Sequence, residues 1–134
     1  MRKLTSVNYS SAAFNTAMLL LRIGSGTMFM SHGYSKLVQF AEMKGKFMNF
    51  MGLGSTVSLS LVIFSEFFCA IFINIGLFTR LVVIPPIISS SVALFVAHNG
   101  EIFGDGEKAA LYVVCFIVIL LCGPGRASVD GMIK

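Results

Sequence analysis

Arg22 and Glu66 carry the greatest capacity for chemistry in this sequence, because each stands inside a run of apolar residues. A charge at the centre of a bilayer costs about 2.5–3.5 kcal/mol on insertion scales, so such a residue faces other helices and finds a partner. Arg22 falls ten residues into the first apolar run, and Glu66 lies twelve residues from the same-side end of the second. At 1.5 Å per residue the two depths differ by about 3–5 Å, within reach of an arginine side chain. The spacing predicts an Arg22–Glu66 pair. That pair would be either a structural ion pair fixing helix register or a site that meets a ligand and handles a proton. Steps of four, seven, eleven and fourteen from Arg22 reach Gly26, Phe29, Gly33 and Lys36, all on one helical stripe. Two glycines beside a charge admit another backbone, or a flat ligand, at close range.

His32 closes the first apolar run and His98 the third. Those two helices would run the same way, so both imidazoles are expected near one membrane surface. Lys36, Glu101, Asp105 and Glu107 belong to that level, and together they form a polar mouth above a charged centre. Two histidines can ligate a metal or haem, but a single histidine at a helix end more commonly meets water and headgroups. Neither a metal nor haem is therefore expected. Cys69, Cys115 and Cys122 sit singly in apolar runs without a CxxC pair. That excludes zinc spacing and a disulfide framework, and they read as small packed hydrophobes. Ser89, Ser90 and Ser91 follow Pro85-Pro86 and read as hydroxyls that satisfy the backbone groups the prolines disturb.

The elements that must position these groups follow from composition. Of 134 residues, 56% are hydrophobic and 12% charged, with a mean hydropathy of +0.87. A soluble domain carries about 25% charged residues, and a chain this short cannot enclose so much apolar surface in one water-facing core. A disordered chain and an ordinary soluble enzyme are both excluded. Four runs approach the roughly 20 residues a membrane helix needs, at 12–36, 57–78, 81–97 and 107–122. Arg22 interrupts the first and no small-x-small site follows it, so it reads as a retained helix and not as a leader. Thr79-Arg80 leaves room only for a tight turn, and Gly123-Pro124-Gly125 stops the fourth run. Over 38–52, Phe40, Met43, Phe47 and Phe50 oppose Gln39, Glu42, Lys46 and Asn49, the pattern of an amphipathic helix lying at the interface. The expected fold is one all-α domain, an integral membrane antiparallel four-helix bundle with a short interfacial helix between helices one and two.

The net charge of +4 is spread singly over the chain, which suits membrane topology and excludes nucleic acid as a partner. Arg2, Lys3, Arg80, Arg126 and Lys134 fall on one side of the expected bundle, and Lys36, Lys44, Lys46 and Lys108 on the other. Five against four places both termini in the cytoplasm by a margin of one residue. Ala13, Ala17, Gly24 and Ser31 make a stripe of small residues that serves either self-association or packing within the bundle.

Three segments carry a resemblance to a known family. Leu21-Arg22-Ile23-Gly24, leading to His32-Gly33-Tyr34-Ser35-Lys36-Leu37, resembles the first helix of DoxX membrane proteins. Glu66 followed by Gly76-Leu77-Phe78-Thr79-Arg80 resembles the second helix and its turn. Gly123-Pro124-Gly125-Arg126-Ala127-Ser128-Val129-Asp130 is similar to the family's carboxy-terminal signature and is the most specific of the three. The resemblance implies a four-helix protein of the inner (plasma) membrane, of the thiosulfate:quinone oxidoreductase small-subunit type, working with a redox partner. Position by position it implicates Arg22, His32, Lys36, Glu66, Arg80, Arg126 and Asp130. No electron-carrying cofactor is evident in the sequence.

The functional expectation is a redox-associated membrane subunit that binds a quinone-like or other small lipophilic ligand. Arg22, Glu66, His32, Lys36, His98 and Glu107 are its candidate residues. Arg80, Gly123, Pro124, Gly125, Arg126 and Asp130 form a structural or docking motif. Two alternatives stay open: a small transporter with Glu66 as protonatable group, and a scaffold that docks a soluble redox protein through Arg80 and Arg126.

Overall fold

The structure, a computed structural model, describes residues 6–46, 52–97, 100, 102–104 and 106–133. Most of these residues are helical, and none of them is in a strand. Helix α1 spans Ser11–Val38, α2 is the single turn Phe40–Met43, α3 spans Ser55–Ile75 and α4 spans Thr79–Val96. Helix α5 covers Glu107–Cys122, and the chain closes with the short α6, Val129–Ile133. Helices α3 and α4 are long and apolar enough to cross a membrane. Their outward faces carry large apolar side chains such as Phe64, Phe68, Leu81 and Ile88, as suits contact with lipid.

Local chemistry sets the boundaries. Ser10 caps α1 by accepting the Ala13 N–H at 3.0 Å. Helix α3 ends where Gly76 turns left-handed at φ 75°, with both Gly76 and Leu77 donating back to the Phe72 carbonyl. The α3–α4 turn therefore falls on residues 76–78, and Thr79-Arg80 already belong to α4. Pro85 and Pro86 occupy the first positions of the regular part of α4, Ile84–Val92, where a missing N–H costs little. Two π turns interrupt the helices, Phe64–Phe68 in α3 and Ala93–Ala97 at the end of α4.

The interfacial helix expected over 38–52 is not continuous among the described residues. Helix α1 runs on to Val38, α2 supplies one turn, and Lys44 to Lys46 are in turn conformation, while residues 47–51 lie outside the described residues. Gly45 within this stretch lowers helix propensity.

Helix α1 runs antiparallel to α3 and buries Met18, Arg22, Ser25, Gly26, Phe29 and Gly33. A Cβ on Gly33 would stand 2.6 Å from the Glu66 carbonyl carbon, and one on Gly26 would meet the Asn74 side chain and Ile73. Close helix packing is thus what both glycines allow. Met18, Phe29, Ala70, Ile73, Val83, Tyr112, Phe116 and Ile119 form the core between α1, α3, α4 and α5.

Candidate functional site

The contact at Gly33 brings the cation of α1 to the acid of α3. Lys36 lies one turn beyond Gly33 on α1, and its Nζ donates to Glu66 Oε1 at 2.6 Å. Glu66 sits inside the π turn Phe64–Phe68, a distortion that recurs at functional positions because it re-aims a side chain. The pair is largely shielded, with side-chain exposures of 23% for Lys36 and 11% for Glu66.

Beside this pair opens a cavity of about 310 Å³, at the small end of the range for ligand sites. Helix α1 contributes Phe29, His32 and Lys36, and α3 contributes Glu66. Helix α4 adds Ser89, Ser90 and Ala93, and the first turns of α5 add Lys108, Ala109 and Tyr112. Two buried hydroxyls of residues on its wall, Ser90 Oγ and Tyr112 Oη, have no hydrogen-bond partner among the described residues. Ser25, Ser60 and Ser65 return their hydroxyls to carbonyls of their own helices. Ser90 does not, so the backbone-satisfying role expected for it is not filled, and its residue lines the cavity instead. The Tyr112 ring is held by Phe29 at 4.9 Å, Phe116 at 5.8 Å and His32 at 6.0 Å between centroids. Its ring orientation is thereby fixed.

Arg22 belongs to the other end of the molecule. Arg22 is 2% exposed, and its guanidinium donates to Pro124 O at 2.6 Å, Ala127 O at 2.9 Å and Asn74 O at 3.3 Å. The tail is tied down further by Asp130, whose carboxylate accepts the N–H groups of Phe78 at 2.8 Å and Thr79 at 2.9 Å. Asp130 N in turn donates to Gly76 O at 2.9 Å, and Arg126 N to Asn15 Oδ1 at 3.0 Å. Left-handed Gly76 packs directly on Ser128, where no side chain would fit. The Gly-Pro-Gly-Arg-Ala-Ser-Val-Asp segment is thus a clasp around Arg22 and the α3–α4 turn. Arg80 is exposed, lies against Gly123 and donates to Leu121 O at 3.4 Å, as a cation at the end of α5 should. Arg126 projects outward, exposed.

The expected Arg22–Glu66 pair is not formed. Gly33 of α1 opposes Glu66, and eleven residues, about 16 Å of helix, separate Gly33 from Arg22. The expectation placed the ends of the two helices level. Helix α1 has 28 residues and α3 has 21, so the amino-terminal part of α1 overhangs α3 and carries Arg22 past its end. His32 is not at a helix end but six residues inside α1. Glu107 is exposed on the first turn of α5 and does not line the cavity. His98, Glu101 and Asp105 lie outside the described residues.

Tyr112, Lys108 and Ser90 are wall residues that sequence reasoning passed over as site candidates. The signal for two of them was present: Lys108 and Tyr112 stand four apart on one face of an otherwise apolar run. A buried tyrosine needs a partner for its hydroxyl.

The profile of the DoxX family matches residues 17–99, which is 83 of the 134 residues. No curated protein and no solved structure matches the chain.

Proposed function

Because the chain belongs to the DoxX family, we propose that it is a redox-associated membrane subunit binding a quinone-like or other small lipophilic ligand in the Lys36–Glu66 cavity. The family and the apolar helices α3 and α4 make it a membrane protein. In our reading α1 and α5 cross as well, giving an antiparallel four-helix bundle in the inner (plasma) membrane with both termini cytoplasmic. Helix α1 has the length for this at about 42 Å, and α5 at about 24 Å spans most of a hydrocarbon core.

The observation that carries the proposal is a pair of buried hydroxyls, Ser90 Oγ and Tyr112 Oη, unpartnered among the described residues, on two residues that line a cavity beside a largely shielded ion pair. An orphaned buried hydroxyl costs about 1–3 kcal/mol, and a ligand oxygen accepting from it removes that cost. Lys36 holds the Glu66 carboxylate beside the ligand, where the acid can give or take a proton. A partner redox protein supplies electrons, docking on the clasp end where Arg126 is exposed.

The test is native mass spectrometry with lipid extraction on gently purified protein. Quinone should co-purify with the wild type and be lost from Ser90→Ala/Tyr112→Phe. Bulk phospholipid alone, identical in both proteins, overturns the reading.

Glu66 supports a second reading, transport, since a shielded acid in a π turn is suited to a protonation switch. Uptake into proteoliposomes that requires a pH gradient and fails in Glu66→Gln would decide for it.

A further inference from the structure

The cavity wall has a charge imbalance that bears on what enters it. Among the described residues Lys36 and Lys108 line the cavity with one carboxylate, Glu66, and that carboxylate is already joined to Lys36. Lys108 stands on the first turn of α5 and has no ion pair among the described residues. The amino terminus of this 16-residue helix also borders the cavity through Lys108 and Ala109, and Gly106 before it provides no side-chain cap. Glu107 opens this helix, its N–H donating to Gly104 O at 3.2 Å, and its carboxylate offsets part of the positive helix end.

The two unpartnered hydroxyls are independent of that helix end in part and point to the same conclusion. Ser90 comes from α4 and is 3% exposed, and Tyr112 lies one turn along α5 and is 8% exposed. Both can donate. A neutral carbonyl would satisfy the hydroxyls and leave the Lys108 ammonium without a counter-charge of its own among the described cavity residues. An oxyanion satisfies all of them, with charge-assisted hydrogen bonds about twice as strong as neutral ones.

Resting on the reading of this cavity as a ligand site, we infer that it takes the oxyanion head of an amphiphile, a carboxylate or phosphate, between Lys36, Lys108 and the start of α5. Phe29, Ala93 and Ala109 give the head an apolar floor. At about 310 Å³ the cavity holds a head and a short stretch of chain. The rest of the tail lies in the lipid against the outward apolar faces of the helices.

The test uses the full chain in a non-ionic maltoside micelle, titrated calorimetrically with laurate, with dodecanol of the same chain length, and with inorganic phosphate. Laurate should bind about tenfold more tightly than dodecanol, the margin of one charge-assisted hydrogen bond. Lys108→Gln should remove that margin, and because Lys108 is exposed this variant keeps the fold. Tyr112→Phe should weaken laurate as well. Competition of phosphate with laurate supports the oxyanion site and assigns the head as sufficient. Laurate binding untouched by phosphate supports it too and makes the tail essential. Equal affinity for laurate and dodecanol, or an unchanged laurate affinity in Lys108→Gln, overturns the inference while leaving the cavity a ligand site. Binding of neither laurate nor dodecanol, nor any quinone, removes both.

Discussion

Lys36 Nζ meets Glu66 Oε1 at 2.6 Å one helical turn beyond the point where Gly33 rests on the Glu66 backbone. The glycine and the ion pair are one device. The missing side chain lets α1 and α3 approach, and that approach lets a lysine near the end of α1 reach an acid in the middle of α3.

Removing one partner of this pair is more damaging than removing both. Lys36→Met leaves a shielded carboxylate without its cation and should cost about 3–5 kcal/mol. Lys36→Met/Glu66→Gln should recover most of that loss. Thermal unfolding of the single and double variants in one detergent measures the coupling, and additive losses would mean that the pair contributes nothing.

The glycines of α1 differ in what surrounds them. Gly33→Ala would force a Cβ to 2.6 Å from the Glu66 carbonyl carbon, backbone that cannot move aside cheaply, so it should lower the melting temperature and separate Lys36 from Glu66. Gly24→Ala meets nothing within 4 Å and removes a flexible residue from a helix interior. It should stabilise by about 0.5–1 kcal/mol. Equal melting temperatures for the two variants would disprove the close α1–α3 contact.

Arg22→Leu should free the tail and spare the cavity. It deletes hydrogen bonds to Pro124 O, Ala127 O and Asn74 O, each worth about 1.5–3 kcal/mol when the donor is charged. Tryptic cleavage after Arg126, followed by mass spectrometry, should accelerate about tenfold or more. Retention of a cavity ligand should persist in the protein that remains folded. Loss of the ligand with no change in cleavage would return Arg22 to the ligand site.

Asp130 acts as a cap supplied from a distant part of the chain, accepting the Phe78 and Thr79 N–H groups. Asp130→Ala should cost about 1–2 kcal/mol, the usual worth of an N-cap, and Asp130→Asn less. Hydrogen exchange at the amides of Phe78 and Thr79 would report it directly.

Ser90→Ala and Tyr112→Phe give the sharpest contrast between a structural and a binding role. In the ligand-free protein each removes a buried hydroxyl that has no partner among the described residues, so stability should hold or rise slightly. Ligand retention should fall in the same variants. A marked loss of stability without ligand would show that these hydroxyls serve the fold.

What the sequence determined by itself was local. The stripe of Arg22, Gly26, Phe29 and Gly33 is buried, with Lys36 half-buried at its end, because helical periodicity follows from the backbone alone. The span 107–122 and its glycine stop are as the residues require, since termination depends on neighbours in sequence. The pairing of charges was not legible in this way. Whether Glu66 meets Arg22 or Lys36 depends on how far α1 slides past α3, and Gly26, Gly33 and the length difference of the two helices settle that only once they pack. The tertiary structure also turned the carboxy-terminal signature into a clasp on Arg22, and brought Ser90 of α4 and Tyr112 of α5 to one cavity. Contacts between residues dozens of positions apart have no periodicity to announce them, so helix identity was written in the sequence while the site was decided by register.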